Sequence, residues 1–192
     1  MKIFYVGTVK SIIKNLTELG AEVISSSKDC DGIIITQDIP DIILNQLIEL
    51  NKPIIINGDP ERDYKNINIL ILSEDKIDIF YNKHNIKSMK ECKDKLKELG
   101  IKYLVVSLGK EKIKKCIQYN LPKVQVQKVD ITEREVVRAK DVITAIVGYT
   151  FIKEKSLSTE SIEKAQIGSC LLATNNADDK NIKDYYIDIK LR

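Results

Sequence analysis

The residues best suited to chemistry lie close together, at Arg138, Lys140 and Asp141. A carboxylate can accept a proton from a reacting group, and arginine and lysine side chains bind phosphate. Apolar spacing predicts a helix that begins near Ala139 and ends near Glu154, which places Asp141 in its first turn. Two interpretations of Asp141 stay open there, because the helix dipole favours an acidic residue in a first turn whether or not it reacts.

The two cations also allow two interpretations. At a helix start, Arg138 and Lys140 each oppose the dipole at a cost of about 0.3–1 kcal/mol. A phosphate group held between the two side chains would offset that cost. Glu133 and Glu135 are close enough in sequence to offset it instead, and this is the simpler interpretation.

The elements that must position these residues alternate between strands and helices. Strands that are apolar on both faces are typical of a parallel sheet covered by helices on each side. We therefore predict an α/β fold, a three-layer α/β/α sandwich with a mostly parallel sheet, formed as a single domain over residues 1–192. The predicted strands cover 2–6, 21–24, 31–36, 53–56, 67–72 and 103–107, with paired antiparallel strands over 113–129 and a last strand over 185–191. The predicted helices cover 11–19, 40–50, 86–99, 139–154 and 159–173, with one more starting at residue 73 or 74.

Three local predictions bear on where a ligand could bind. The apolar stripe of the helix over 40–50 is expected at Ile42, Ile43, Leu47 and Leu50. His84 is expected on a surface loop. The turn over residues 57–60, N-G-D-P, is read as a simple turn, or else as part of the carboxyl edge of the sheet, where open α/β folds bind ligands.

The composition limits the classes of function. A net charge of +3, from 31 basic and 28 acidic residues, does not indicate nucleic acid binding. The lysines over residues 110–115 are read as a solvated face. The four cysteines and the single histidine show no zinc spacing, and no segment has the length of a membrane span. We expect reduced, mostly buried thiols in a cytoplasmic protein that contacts neither nucleic acid nor membrane.

Several ordered motifs resemble one family. From about residue 31 to residue 176 the chain resembles the C-terminal part of the ribokinase-like (PfkB-type) carbohydrate kinases, and the pseudouridine kinase branch most of all. The strings that carry this resemblance are I-I-I-T-Q-D-I-P, L-V-V-S-L-G-K-E-K-I, R-A-K-D-V-I-T-A-I-V-G-Y and S-L-S-T-E-S-I-E-K-A. The third falls where the family has G-A-G-D.

The resemblance implies phosphoryl transfer from ATP, with Mg²⁺, to a sugar or nucleoside hydroxyl. Asp141 would take the proton from that hydroxyl. Backbone amides at Arg138, Ala139 and Lys140 would bind the transferred phosphate, and Ser107 and Gly109 would lie at the nucleotide. The implied partner is a sugar, nucleoside or nucleotide. Separately, we expect the chain to form a homo-oligomer.

The departures from the family pattern lead to our functional prediction. Arg138 and Lys140 replace the two glycines, which removes positive-φ freedom and close backbone approach. Ser73 and Lys76 replace the asparagine and glutamate that organise the metal, and Lys112 replaces the second glycine of the nucleotide turn. The family's sugar motif and lid are also expected to be missing.

We therefore predict a degenerate kinase homologue that does not transfer phosphate. It would serve as a small-ligand or nucleotide-binding protein, or would oligomerise through an exposed sheet edge. Two alternatives stay open. One is an active kinase in which Arg138 and Lys140 hold phosphate. The other is a structural or regulatory partner protein.

Overall fold

The structure, a computed structural model, describes residues 1–120 and 131–174. Its six strands form one parallel sheet in the order β2-β1-β3-β4-β5-β6. With helices following the strands, this confirms the predicted α/β class. The strands are β1 Lys2–Val6, β2 Glu22–Ile24, β3 Gly32–Ile35, β4 Ile54–Asn57, β5 Ile69–Ser73 and β6 Tyr103–Ser107.

Seven helices are described. Glycines in a left-handed conformation follow two of them, Gly20 with φ +94° after α1 and Gly100 with φ +69° after α4, as expected for helix ends. A 3₁₀ turn over Glu74–Lys76 leads from β5 into α3. The helices are α1 Lys10–Glu18, α2 Asp41–Glu49, α3 Ile77–Lys83, α4 Met89–Glu98, α5 Lys110–Asn120, α6 Glu133–Glu154 and α7 Thr159–Thr174.

Two compact units divide the chain, and the first comprises residues 1–9 and 21–106. Its core lies along β3, β4 and β5, where register places Ile33 beside Ile54 and Ile35 beside Ile56. The uninterrupted isoleucine runs of β3 and β4 are buried, which confirms the prediction of central strands. The predicted single domain stays a prediction.

The predicted apolar stripe of α2 is partly wrong. Ile42 and Ile43 are 67% and 41% exposed, whereas Leu44 and Leu47 are buried. Leu44 and Leu47 are three residues apart and share one helix face. At about 100° per residue, Ile42 lies opposite that face and Ile43 lies at its margin. The helix therefore buries its leucines and exposes its first two isoleucines.

The second unit comprises residues 10–20 and 107–192. Within it, α6 packs against α7 and α1, and α5 packs against α7. Every residue of α6 from Val142 to Ile152 is buried. A helix that is buried on all sides is a central element, so α6 organises this unit.

The paired strands predicted over 113–129 are wrong as far as residue 120, because α5 is a helix there. Ile113 is buried, while Lys110, Glu111, Lys112 and Lys115 are exposed. One buried apolar position among several exposed charged ones is typical of a surface helix. The exposure of these lysines confirms the prediction that they are solvated. Residues 121–129 and the predicted strand over 185–191 lie outside the described residues.

The predicted start of α6 is also wrong, since the helix begins six residues before Ala139. The hydroxyl of Thr132 accepts a hydrogen bond from the Glu135 amide at 3.3 Å, and the Glu135 carboxylate accepts one from the Thr132 amide at 2.7 Å. This reciprocal pair is a capping box, which stabilises a helix start. Asp141 consequently lies in the third turn of α6 instead of the first.

Among the described residues, no helix combines the length and the apolar character needed to cross a membrane.

Candidate functional site

Asp141 is held by a serine within the second unit. Ser11, the second residue of α1, donates its hydroxyl to Oδ2 of Asp141 at 2.9 Å. Burial raises the pKa of the Asp141 carboxyl, and the Ser11 hydrogen bond and the Lys140 charge oppose this rise. The carboxylate therefore has a defined structural partner, which links α6 to α1.

The backbone amides of residues 138–140 lie inside a continuous helix. At this depth each amide donates to the carbonyl four residues earlier, so it does not point at a ligand. The start of α6 at Glu133 is the physical reason that the predicted anion site of helix-end amides does not form at these positions.

Arg138 and Lys140 lie two residues apart on the same helix. Residues at that spacing project about 200° apart around a helix axis, so they do not face each other. Arg138 shares a face with Asp141, three residues later, rather than with Lys140. This geometry argues against one phosphate held between the two cations.

Of the remaining predicted phosphate residues, Ala139 belongs to an apolar cluster. Ala139 is 3% exposed and packs with Ile113 and Cys170, against which Leu108 also lies. Ser107 is buried at the end of β6, and the carbonyl of Gly109 accepts the Ile113 amide at 2.9 Å. The structure thus brings Ala139 and Leu108 together through core packing.

The positions that would organise Mg²⁺ do not fit that ion. Ser73 ends β5, and Lys76 is an exposed cation in the following 3₁₀ turn. Magnesium prefers carboxylate and other oxygen ligands. Within residues 1–120 and 131–174, no three His, Cys, Asp or Glu side chains are placed to hold a metal ion.

A cleft in the first unit is a second candidate location for a ligand. An open cleft of about 430 Å³ lies where β3 and β4 end, at the carboxyl edge of the sheet. Ligands of open α/β folds bind at this edge. The turn over residues 57–60 therefore does lie at the sheet edge, and its Asp59 lines the cleft. The lining residues are Asp38, Ile39, Pro40, Asp41, Asp59, Glu61 and Arg62.

Arg62 is the fixed group of this cleft. Its guanidinium pairs with the carboxylates of Asp38 and Asp41 at the start of α2. The Arg62 side chain is only 17% exposed, whereas those of Asp38 and Asp41 are 88% and 83% exposed. The arginine thus anchors two carboxylates whose surfaces stay open to solvent.

Tyr64 organises the loop that carries Arg62, which we call the cleft loop, residues 58–68 between β4 and β5. The Tyr64 hydroxyl accepts the Asp59 amide at 3.0 Å, and Arg62 lies over the Tyr64 ring at 5.5 Å from its centroid. A Cβ on Gly58 would lie 2.5 Å from the Tyr64 hydroxyl, so this approach requires glycine. The sequence predicted the turn at residue 58 but not the role of Arg62, because the partners of Arg62 are distant in the chain.

His84 is not on the surface as predicted. Its side chain is 7% exposed and lies edge-on to the Phe80 ring, with centroids 4.7 Å apart. Residues four apart share a helix face, so the spacing F-x-x-x-H at the end of α3 contained the signal.

No protein-family model matches this chain, and no curated protein shows significant similarity to it. The resemblance to the ribokinase-like kinases therefore stays a prediction.

Proposed function

We propose that this protein is a degenerate relative of the ribokinase-like kinases that does not transfer phosphate. The observation that carries the proposal is that α6 continues through residues 138–141. The backbone amides of these residues therefore donate hydrogen bonds within the helix and not to a ligand. The hydrogen bond from Ser11 gives Asp141, which matches the aspartate of the family motif, a structural role.

The proposed activity is non-catalytic binding of a small hydroxyl-rich ligand, a sugar or a nucleoside, at the cleft. Four carboxylates and one guanidinium line this cleft. Exposed carboxylates accept hydrogen bonds from ligand hydroxyl groups. The same negative excess disfavours a polyphosphate, so a nucleotide is not the proposed ligand.

Thermal unfolding with a panel of free sugars and nucleosides tests the binding. A ligand at ten times its Kd raises the free energy of unfolding by about 1.4 kcal/mol. We expect one member of the panel to raise the Tm, and ATP with Mg²⁺ not to do so.

A double variant, Asp38→Asn with Glu61→Gln, should weaken that stabilisation at least about tenfold in Kd, because two acceptor carboxylates are lost. Asp94→Asn, an exposed acid on α4 outside the cleft, is the matched control. Equal affinity in the double variant and the control would contradict the assignment of the cleft.

Association with a second copy is a further candidate function. Ile42 and Ile43 are adjacent exposed isoleucines on α2. Such side chains favour a protein contact, which agrees with the predicted homo-oligomer.

A further inference from the structure

His84 is the only histidine of the chain, and its side chain, 7% exposed, lies next to the cleft loop. It follows the last residue of α3, and its Nε2 has no hydrogen-bond partner among the described residues. An unpaired polar atom in a buried position costs about 1–3 kcal/mol. A buried atom without a partner is rare in proteins and needs an explanation. The charged side chains next to His84 provide one.

Lys83 holds the cleft loop at two points. Its ammonium lies 2.8 Å from Oδ1 of Asp63 and also donates to the backbone carbonyl of Glu61. Oδ1 of Asp63 is at the same time 4.0 Å from Nε2 of His84. One carboxylate oxygen thus lies between a lysine that it binds and an imidazole that it does not yet bind.

The other charges that face His84 belong to α4. Lys95 and Glu98 lie there, and they pair with each other at 2.8 Å. Burial lowers the pKa of His84, and the charges of Lys95 and Lys83 lower it further, against the opposing effects of Asp63 and Glu98. The imidazole is therefore neutral near pH 7, which leaves the contact between Lys83 and Asp63 undisturbed.

We propose that His84 is a proton-operated latch that controls the position of the cleft loop. A protonated imidazole needs a partner, and a movement of about 1 Å brings Nε2 into hydrogen-bond distance of the Asp63 carboxylate. The imidazolium then competes with Lys83 for that carboxylate and repels its ammonium. Lys83 loses its contact with Asp63 and releases the Glu61 carbonyl.

Release of the Glu61 carbonyl affects the cleft, because Glu61 and Arg62 both line it and belong to the cleft loop. Acidification would displace these two residues and weaken ligand binding. This regulatory step rests on the proposed function, in which the cleft is the ligand site. The latch itself can be tested without any ligand, so its failure is distinguishable from failure of the proposed function.

The test is an NMR titration of the whole protein between pH 4.5 and pH 8 in the absence of ligand. The single imidazole gives one unambiguous set of ring signals. We expect a midpoint below 6.5, the ordinary value. The backbone amides of residues 61–64 should shift with that same midpoint.

Four variants make the result decisive. His84→Gln should abolish the shift of the loop amides. Lys83→Met should leave those amides at their acidic positions at every pH, which keeps the test valid if His84→Gln does not fold. Asp63→Asn should lower the imidazole midpoint by at least about half a pH unit, because a favourable charge is removed. Lys95→Met, the control on α4, should raise the midpoint and keep the loop response.

A midpoint at or above 6.5, or loop amides that do not follow the imidazole, would overturn the latch. If the latch holds and no sugar or nucleoside binds, the proposed function alone has failed.

Discussion

At the scale of single residues, the environment of Asp141 decides what it can do. Its carboxylate has a hydroxyl partner in Ser11, and burial raises its pKa. A raised pKa also suits a general base, so the shift does not separate a catalytic role from a structural one. Substitution does separate them, since a structural acceptor tolerates an amide and a base does not.

Asp141→Asn should keep the free energy of unfolding at neutral pH or raise it by up to about 1 kcal/mol. The amide oxygen can still accept from Ser11, and no buried charge remains. Because the pKa is raised in the folded protein, the ionised Asp141 destabilises the fold above that pKa, and the penalty disappears as pH falls towards 3.8. Urea unfolding at several pH values should therefore show an advantage of the variant that is lost in acid.

Ser11→Ala is the companion variant. It leaves the carboxylate without its donor and should cost about 1–3 kcal/mol at neutral pH. That cost should shrink when Asp141→Asn is combined with it. Additive effects of the two substitutions would show that the hydrogen bond does not connect them.

At the scale of elements, the sequence predicted one end of α6 correctly and the other wrongly. Its end at Glu154 was predicted, because the apolar pattern stops there. Its start was missed, since the apolar spacing that predicted the helix becomes regular only near Ala139. The spacing of Thr132 and Glu135 is a capping-box signature and is visible in the sequence.

Other elements also differ in how well the sequence predicted them. The bounds of β6 were predicted because a buried apolar run needs no partner to be recognised. The helix α5 was missed because residues 113–129 were read as alternating strands. Ile113, Cys116 and Ile117 have the i, i+3, i+4 spacing of a helix, which the sequence already showed. Arg62 could not be predicted as a site residue, since its partners Asp38 and Asp41 meet it only through the fold.

The capping box makes a separate prediction. Thr132→Ala should cost about 1 kcal/mol of stability, because the Glu135 amide loses its acceptor. Glu135→Ala should cost more than Glu133→Ala. Both remove an acidic residue from the first turn, but only Glu135 bonds back to the Thr132 amide. Equal costs, measured by denaturant unfolding, would contradict the start of α6 at Glu133.

At the scale of the whole molecule, an all-parallel sheet confirms what the apolar strands predicted. The functional prediction stays a prediction. The string I-I-I-T-Q-D-I-P includes Asp38, Ile39 and Pro40, which line the cleft of the first unit. The resemblance had not assigned them a binding role.

The predicted homo-oligomer can be tested on α2. Size-exclusion chromatography with light scattering should show a dimer or larger assembly for the wild type. Ile42→Ser combined with Ile43→Ser should shift it towards the monomer, because two exposed apolar side chains are lost. Ile79→Ser, an exposed isoleucine on α3, is the control and should leave the mass unchanged. A monomeric wild type would contradict the prediction.

The central claim is that the helix carrying Asp141 is not a phosphoryl-transfer site. Its most direct test is incubation of the protein with γ-labelled ATP, Mg²⁺ and a panel of sugars and nucleosides, followed by detection of labelled product. The account predicts no transfer above the level of Asp141→Asn, even where a member of the panel binds the cleft. Labelled product from the wild type that Asp141→Asn abolishes would contradict it.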